Sequence, residues 1–202
     1  MKRVKQAIRT AALGIAGLAA LNAQAQDTTP TDEPMEPFPR VRIETTAGAF
    51  TVELFALDAP LTVAQFLRLT GSRFYEGTIF HRVIKDFVIQ GGGFSVDFQE
   101  RTAAETVPNE SGNGRSNVRW TIAMARTGDP HSAQNQFYVN LRDNVALDPR
   151  PGRWGYAVFG QVVSGMDVID DIGNRATGPG GSFRQDVPAA PVIIERVLRV
   201  SQ

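Results

Sequence analysis

The residues best suited to chemistry lie in one stretch: Phe80-His81-Arg82, then Phe87-Val88-Ile89-Gln90 and the triplet Gly91-Gly92-Gly93. Arg82 carries a permanent charge on a planar group with directional donors, so it can meet an electron pair at a fixed point. Phe87 and Val88 could wall an apolar slot. Gln90 and Gln136 could hydrogen-bond a backbone, and Tyr138 stands two residues beyond Gln136. Taken alone, an arginine between β-type residues is usually a solvated face or half of an ion pair, and Phe87, Phe137 and Tyr138 could be plain core. Phe137 is read as core, because strand alternation sets it opposite Gln136 and Tyr138.

Several other chemistries are excluded. The chain has no Cys, hence no thiol nucleophile, disulfide or thiolate metal site. No Ser sits in a nucleophile elbow, which argues against a hydrolase. His81 reads as a hydrogen-bonded structural residue and His131 lies in a polar loop near Asp129, so a metal site is not expected. Gly91-Gly92-Gly93 lacks the Lys-Ser/Thr or the G-x-G-x-x-G context of a phosphate loop and reads as a tight bend with close backbone passage. No cofactor is expected.

Positioning these groups requires a sheet. Val41 and Ile43 alternate with Arg42 and Glu44, Ala47-Gly48 signals a turn, and Phe50, Val52 and Leu54 alternate with Thr51 and Glu53, which predicts a hairpin. Asp58-Ala59-Pro60 opens a helix, with Asp58 as its cap. Val63, Phe66, Leu67 and Thr70 form its buried face and Gly71 stops it. Short β-type runs follow over 78–84, 87–90, 119–125, 136–140 and 157–160. A second helix is predicted over 165–172, with Met166, Ile169 and Ile172 inward, and a final strand over 192–200. Many short strands and only two helices predict a mainly β fold, a closed antiparallel barrel. The long polar stretch 95–118 is predicted to be a surface excursion bordering a site. No internal repeat is visible, which argues against a solenoid or propeller.

The stretch Phe80 to Phe94 resembles the cyclophilins: Phe-His-Arg, a few residues, Phe, then Gln-Gly-Gly. Ile122-Ala123-Met124-Ala125-Arg126, Asn135-Gln136-Phe137-Tyr138 and Val158-Phe159-Gly160 are similar to the family's other signature blocks, in the same order. The resemblance spans about Val41 to Val200. It implies an eight-stranded antiparallel barrel capped by two helices, and peptidyl-prolyl cis–trans isomerase activity with no metal or cofactor. It also implies that Phe87, Val88, Tyr138 and Leu147 line a proline slot with Phe137 behind. Gln90 and Gln136 would hold the substrate backbone or orient the arginine, and the Ala125-Arg126 main chain would pair with residues before the proline.

The chemistry fits that implication. The bond before proline has partial double-bond character and a rotation barrier of about 18–20 kcal/mol. No covalent bond breaks, so the site need only bind the twisted amide better than either planar form. On twisting, the proline nitrogen regains its lone pair, and a fixed cation such as Arg82 is then favourable. Lowering the barrier by about 5.5 kcal/mol gives roughly 10⁴-fold acceleration.

The resemblance has departures. Ala146 stands where eukaryotic cyclophilins carry a tryptophan, Tyr156 where many carry a histidine, Tyr138 replaces a phenylalanine and Val88 a methionine. Tyr156 resembles the bacterial periplasmic members and is counted, by that resemblance, among the substrate-binding residues. The missing tryptophan implies weak binding of cyclosporin-like cyclic peptides. A non-catalytic module that binds proline-containing segments, as a chaperone or adaptor, is the alternative reading on the same fold. Arg82 tells against it, since a pure binder has little reason to hold a cation over the proline nitrogen.

Residues 1–25 combine Lys2, Arg3, Lys5 and Arg9 with the apolar run Ala11 to Leu21 and the small-x-small ending Ala23-Gln24-Ala25. This predicts a secretory signal peptide cleaved after Ala25 and a periplasmic location. Cleavage would leave 17 basic and 21 acidic residues, a charge of −4. That balance argues against nucleic acid or an anionic membrane as the main partner, and no stable membrane insertion is expected. Residues 26–39 carry Pro30, Pro34, Pro37 and Pro39 with four acids, and read as a disordered or extended leader. The isomerase domain is placed at 40–202. The expected partners are proline-containing polypeptides, bound by a monomer.

Overall fold

The computed structural model describes residues 36–200. The signal peptide read over 1–25 and most of the leader lie outside the described residues. Leader residues Pro37 and Pro39 accept backbone hydrogen bonds from Ala56 and Leu54, at 3.2 and 2.8 Å.

Alternating burial writes the first hairpin. In β1 (Arg40–Thr45) Val41 and Ile43 are fully buried, and in β2 (Gly48–Leu54) so are Phe50, Val52 and Leu54. The strands pair in antiparallel register, Val41 with Val52 and Ile43 with Phe50. Helix α1 spans Pro60–Gly71. Its Val63 and Phe66 are fully buried, with Phe66 against Phe137 and Phe159 at ring distances of 5.7 and 5.2 Å. Truncating such a side chain costs about 3–5 kcal/mol.

The cap of α1 differs from the expectation. Asp58 makes no capping bond; it pairs with Arg115 at 2.7 Å. Glu110, far away in sequence, accepts the free N–H groups of Leu61 and Thr62 at 3.1 and 2.8 Å. Its carboxylate meets the positive end of the helix dipole better than a residue turned toward a neighbouring guanidinium.

The other sheet strands are β3 (Arg82–Ile84), β4 (Val88–Gly91), β5 (Thr121–Met124), β6 (Phe137–Asn140) and β7 (Val158–Ser164). Helix α2 (Met166–Gly173) buries Ile169 and Ile172, and its Met166 packs partly buried on the core. A separate two-stranded ribbon, absent from the sequence reading, consists of β8 (Thr177–Gly180) and β9 (Phe183–Pro188); β10 (Ile194–Val200) completes the sheet.

The eight strands run in the order β10-β1-β2-β7-β5-β6-β4-β3, all antiparallel. The expected closed barrel is corrected here. No ladder joins β3 to β10, and the seam is crossed by the isolated bridge Ile79–Ile193. The run 78–84 is one continuous strand in pattern only. Phe80 and Ile194 donate to Val192 and Thr78 at 3.0 and 2.8 Å, and Ile79 donates to Phe94 at 2.8 Å, whereas Arg82–Ile84 pair with β4. With its backbone groups divided between two neighbours, the run cannot form one ladder. The main core lies inside the curved sheet. A smaller apolar cluster, formed by Phe55, Val88, Ala123, Tyr138 and Val158, covers part of its other face.

Candidate active site

The site is built by strand alternation. On β4 Ile89 packs in the main core while Val88 joins the other face; on β6 Phe137 and Val139 point to the core and Tyr138 away from it. Register then lines up one outer row. Arg82 pairs with Gln90, Gln90 with Tyr138, Tyr138 with Ala123, and Ala123 with Val158. Side chains directly opposite in an antiparallel pair lie close together on one face, so these five strands present a continuous strip with a cation at one end.

Over this strip lies a cavity of about 270 Å³ lined by Arg82, Phe87, Val88, Gln90, Ala125, Arg126, Tyr138, Leu147 and Tyr156. Nine of the ten site residues read from the sequence meet here. The tenth, Gln136, lines an adjoining cavity of about 230 Å³ that shares Gln90, Ala125 and Arg126. Gln90 ties the two together, donating to Gln136 Oε1 at 3.0 Å while accepting from Arg82 Nη1 at 3.3 Å.

Glycine makes room for that link. A Cβ at Gly93 would fall 2.4 Å from the Gln136 side chain, and Gly92, at φ 82°, has Tyr75 and Phe137 pressed against its Cβ position. Close passage of backbone, which the sequence indicates for the triplet, is found at Gly91, whose Cβ position lies 3.0 Å from the Ile79 carbonyl oxygen; at Gly92 and Gly93 it is side chains that need the room.

The far wall depends on polar residues the sequence reading did not single out. The buried Asn117 accepts from the Tyr138 hydroxyl at 2.7 Å and donates to Asp148 Oδ1 from its backbone N–H and side chain, at 2.8 and 2.9 Å. Ser116 donates to the other oxygen of the same carboxylate. Asn144 donates to the Phe87 carbonyl at 2.9 Å and to Asn140 at 2.8 Å. These bonds fix the single turn Val145–Leu147, and so Leu147, against the sheet. The signal for them is an unusual density of asparagine, legible only once burial is known.

Arg126 has a structural task. It donates to the carbonyls of Gly155, Trp154 and Thr127 at 3.2, 3.0 and 2.9 Å, and its guanidinium lies 4.5 Å from the centre of the Tyr156 ring. That ring stands edge-on to Tyr138 at 5.9 Å.

Electrostatically the slot holds neutral walls and two guanidinium groups, Arg82 on the strand row and Arg126 tied to the carbonyls of Gly155, Trp154 and Thr127. Burial, with lesser contributions from Tyr156 and Asp148, pushes the Tyr138 hydroxyl well above the usual tyrosine range, so it remains a donor. Burial alone would raise the Asp148 carboxyl, but hydrogen bonds from Ser116 and Asn117, with the Arg150 charge, hold it below the usual range. His81 does not reach the slot. It is buried against Phe94 and Phe183, at ring distances of 4.7 and 5.4 Å. Among the described residues, no cluster of three or more His, Asp or Glu could hold a metal ion, and no helix is long and apolar enough to cross a membrane.

Arg82, Gln90 and Gln136 thus stand beside the apolar walls of Phe87, Val88 and Leu147. The chain belongs to the cyclophilin-type peptidyl-prolyl cis–trans isomerase family. Residues 40–199 match the family described as cyclophilin type peptidyl-prolyl cis-trans isomerase/CLD. A peptidyl-prolyl cis-trans isomerase of Streptomyces antibioticus is 49% identical over 158 residues, covering 77% of this chain and 95% of the relative. Peptidyl-prolyl cis-trans isomerase B of Escherichia coli is 47% identical over 160 residues, covering 78% and 97%. A solved cyclophilin-type isomerase of Cryptosporidium parvum superposes with a TM-score of 0.62 at 27% identity, covering 82% of this chain and 99% of that one, and was also solved in the presence of the dipeptide Ala-Pro.

Proposed function

We propose that this chain accelerates rotation about X-Pro bonds in exported polypeptides and so assists their folding, working as a monomer in the periplasm. The observation that carries the reading is the in-register row from Arg82 through Gln90 and Tyr138 to Ala123, laid beneath an apolar slot of about 270 Å³. A proline ring enters the slot between Phe87, Val88, Leu147 and Tyr138. The substrate backbone runs past Gln90 toward Ala125, Arg126 and Gln136.

Arg82 is the catalytic residue in this reading. As the amide twists, resonance is lost and the proline nitrogen becomes a hydrogen-bond acceptor. A guanidinium already in place stabilises that state and is nearly idle toward the planar amide. One charge-assisted hydrogen bond plus positioning suffices for the roughly 10⁴-fold effect required. The N-terminal charge and apolar pattern, ending in Ala23-Gln24-Ala25, supports export.

Refolding tests the reading in its biological setting. A client whose slow phase is limited by X-Pro isomerisation, normally tens to hundreds of seconds, should refold faster with catalytic amounts of protein. Acceleration that requires stoichiometric amounts would instead identify a proline-binding chaperone.

A further inference from the structure

We propose that Asp186 is a positioning residue for Arg82, presented by the β8–β9 ribbon; the inference rests on the reading of Arg82 as the isomerising group. The ribbon lies outside the main sheet, yet three of its features converge on that arginine. Its register shifts: Gly178 pairs with Val187 and Gly180 with Phe183, so Arg184, Gln185 and Asp186 lie opposite Pro179 alone. A bulge of this kind bends a strand and re-aims a side chain.

Asp186 sits in the bulge at φ 68°. That left-handed conformation is uncommon for a residue with a side chain, and Asp and Asn tolerate it best after Gly. It brings Asp186 Oδ2 to 4.0 Å from Arg82 Nε, as an ion pair. Phe183 anchors the ribbon beside this contact, packing on Phe94 at 5.0 Å and on His81, the residue before Arg82, at 5.4 Å.

The guanidinium is thus engaged on two edges, by Asp186 at Nε and by Gln90 Oε1 at Nη1. The Gln90 hydrogen bond is directional, and the Asp186 carboxylate at 4.0 Å adds a charge that favours orientations with the Nε edge turned toward it. Arg82 needs this support, since its side chain is 38% exposed. A donor that must be in place when the nitrogen lone pair appears gains from orientation in the rate, with little change in ground-state binding.

The test is exchange NMR on a saturating Ala-Pro-Phe peptide with wild type, Asp186→Gly, Asp186→Asn, Arg82→Ala and the double variant Arg82→Ala/Asp186→Gly. Gly keeps the left-handed backbone without strain and removes the carboxylate; Asn keeps both the backbone and an acceptor of the same shape. Asp186→Gly should slow saturated exchange about fivefold, equivalent to about 1 kcal/mol, with peptide Kd within about twofold of wild type. Asp186→Asn should lose about half as much on a logarithmic scale, and the double variant should be no slower than Arg82→Ala. Unchanged exchange for both Asp186 variants, beside an inactive Arg82→Ala, overturns the positioning role and leaves Arg82 standing. An equal loss from Asp186→Gly in the Arg82→Ala background also overturns it, because the effect then runs through the fold. A wild-type rate for Arg82→Ala overturns both readings. Should Asp186→Gly fail to fold, Asp186→Asn decides: slower exchange at unchanged Kd supports the role, and a wild-type rate contradicts it.

Discussion

Gln90 donates its side-chain N–H to Gln136 Oε1 at 3.0 Å, and this bond fixes which way the Gln90 amide faces. With its nitrogen turned to Gln136, its oxygen is left for Arg82 Nη1 at 3.3 Å. Gln136 therefore acts on the arginine through a neighbour, and Gly93 makes the arrangement possible by leaving room for the Gln136 chain.

Replacing the middle member should separate binding from rate. Gln90→Leu keeps the approximate volume and removes both hydrogen bonds. Saturated exchange of an X-Pro peptide should fall about tenfold while KM changes little. A raised KM with kcat intact would show that Gln90 only binds substrate.

The wall behind Tyr138 should be costly to disturb. Asn117→Ala leaves the Tyr138 hydroxyl without its acceptor and removes a donor from the Asp148 carboxylate. A loss of about 3 kcal/mol is expected in urea unfolding, whereas Tyr138→Phe should cost only about 1 kcal/mol. Equal losses for the two variants would contradict the hierarchy.

His81 makes stability pH-dependent. Burial lowers its pKa from 6.5 to about 4, against a hydrogen bond with Ile79 that raises it, and the Arg82 charge adds to the lowering. Its Nδ1 has no hydrogen-bond partner among the described residues. As pH falls the unfolded chain takes up the proton first. The contribution is therefore full above pH 6.5 and lost progressively down to about pH 4. The difference amounts to about 3 kcal/mol. His81→Phe, which keeps a ring against Phe94 and Phe183, should flatten this part of the profile. Parallel curves for the two proteins, measured by urea unfolding at each pH, would contradict it.

Ala146 sits exposed beside the slot, next to Leu147. A cyclosporin-like cyclic peptide should bind weakly by calorimetry, with Kd above about 1 µM, and Ala146→Trp should tighten it by restoring a large apolar wall. Sub-micromolar binding by the wild type would contradict the expectation.

What the sequence made legible follows the range of the interactions. Gln136, Phe137 and Tyr138 are consecutive, so period-two alternation alone sorts them into outer face, core and outer face, and burial agrees. The β-type runs that became β4 to β7 carry their own apolar patterns, and the blocks Phe80–Phe94 and Ile122–Arg126 supplied most of the slot. The cap of α1 could not be read locally, because Asp58 has the right type and position while Glu110 makes the bonds. Asn117 and Asp148 act on each other across a stretch of chain that includes β5 and β6, so neither advertises its role. The β8–β9 ribbon is rich in Gly and polar residues and lacks alternation. Phe183, seated on Phe94 and His81, and Asp186, paired with Arg82, tie it to the rest of the site, and neither contact is visible in a local pattern. The barrel seam was misread because 78–84 has one pattern but two sets of partners.

The most direct test is the cis-to-trans exchange rate of a short Ala-Pro-Phe peptide, measured by NMR with wild type, Arg82→Ala and Arg82→Lys, beside peptide affinity for each. Wild type should accelerate exchange by about 10⁴-fold, and Arg82→Ala should lose most of that while binding the peptide nearly as well. Lys, a flexible point charge without a planar fork, should recover only a small part. Wild-type exchange by Arg82→Ala, or peptide binding with no acceleration by any of the three proteins, would contradict the role given to Arg82.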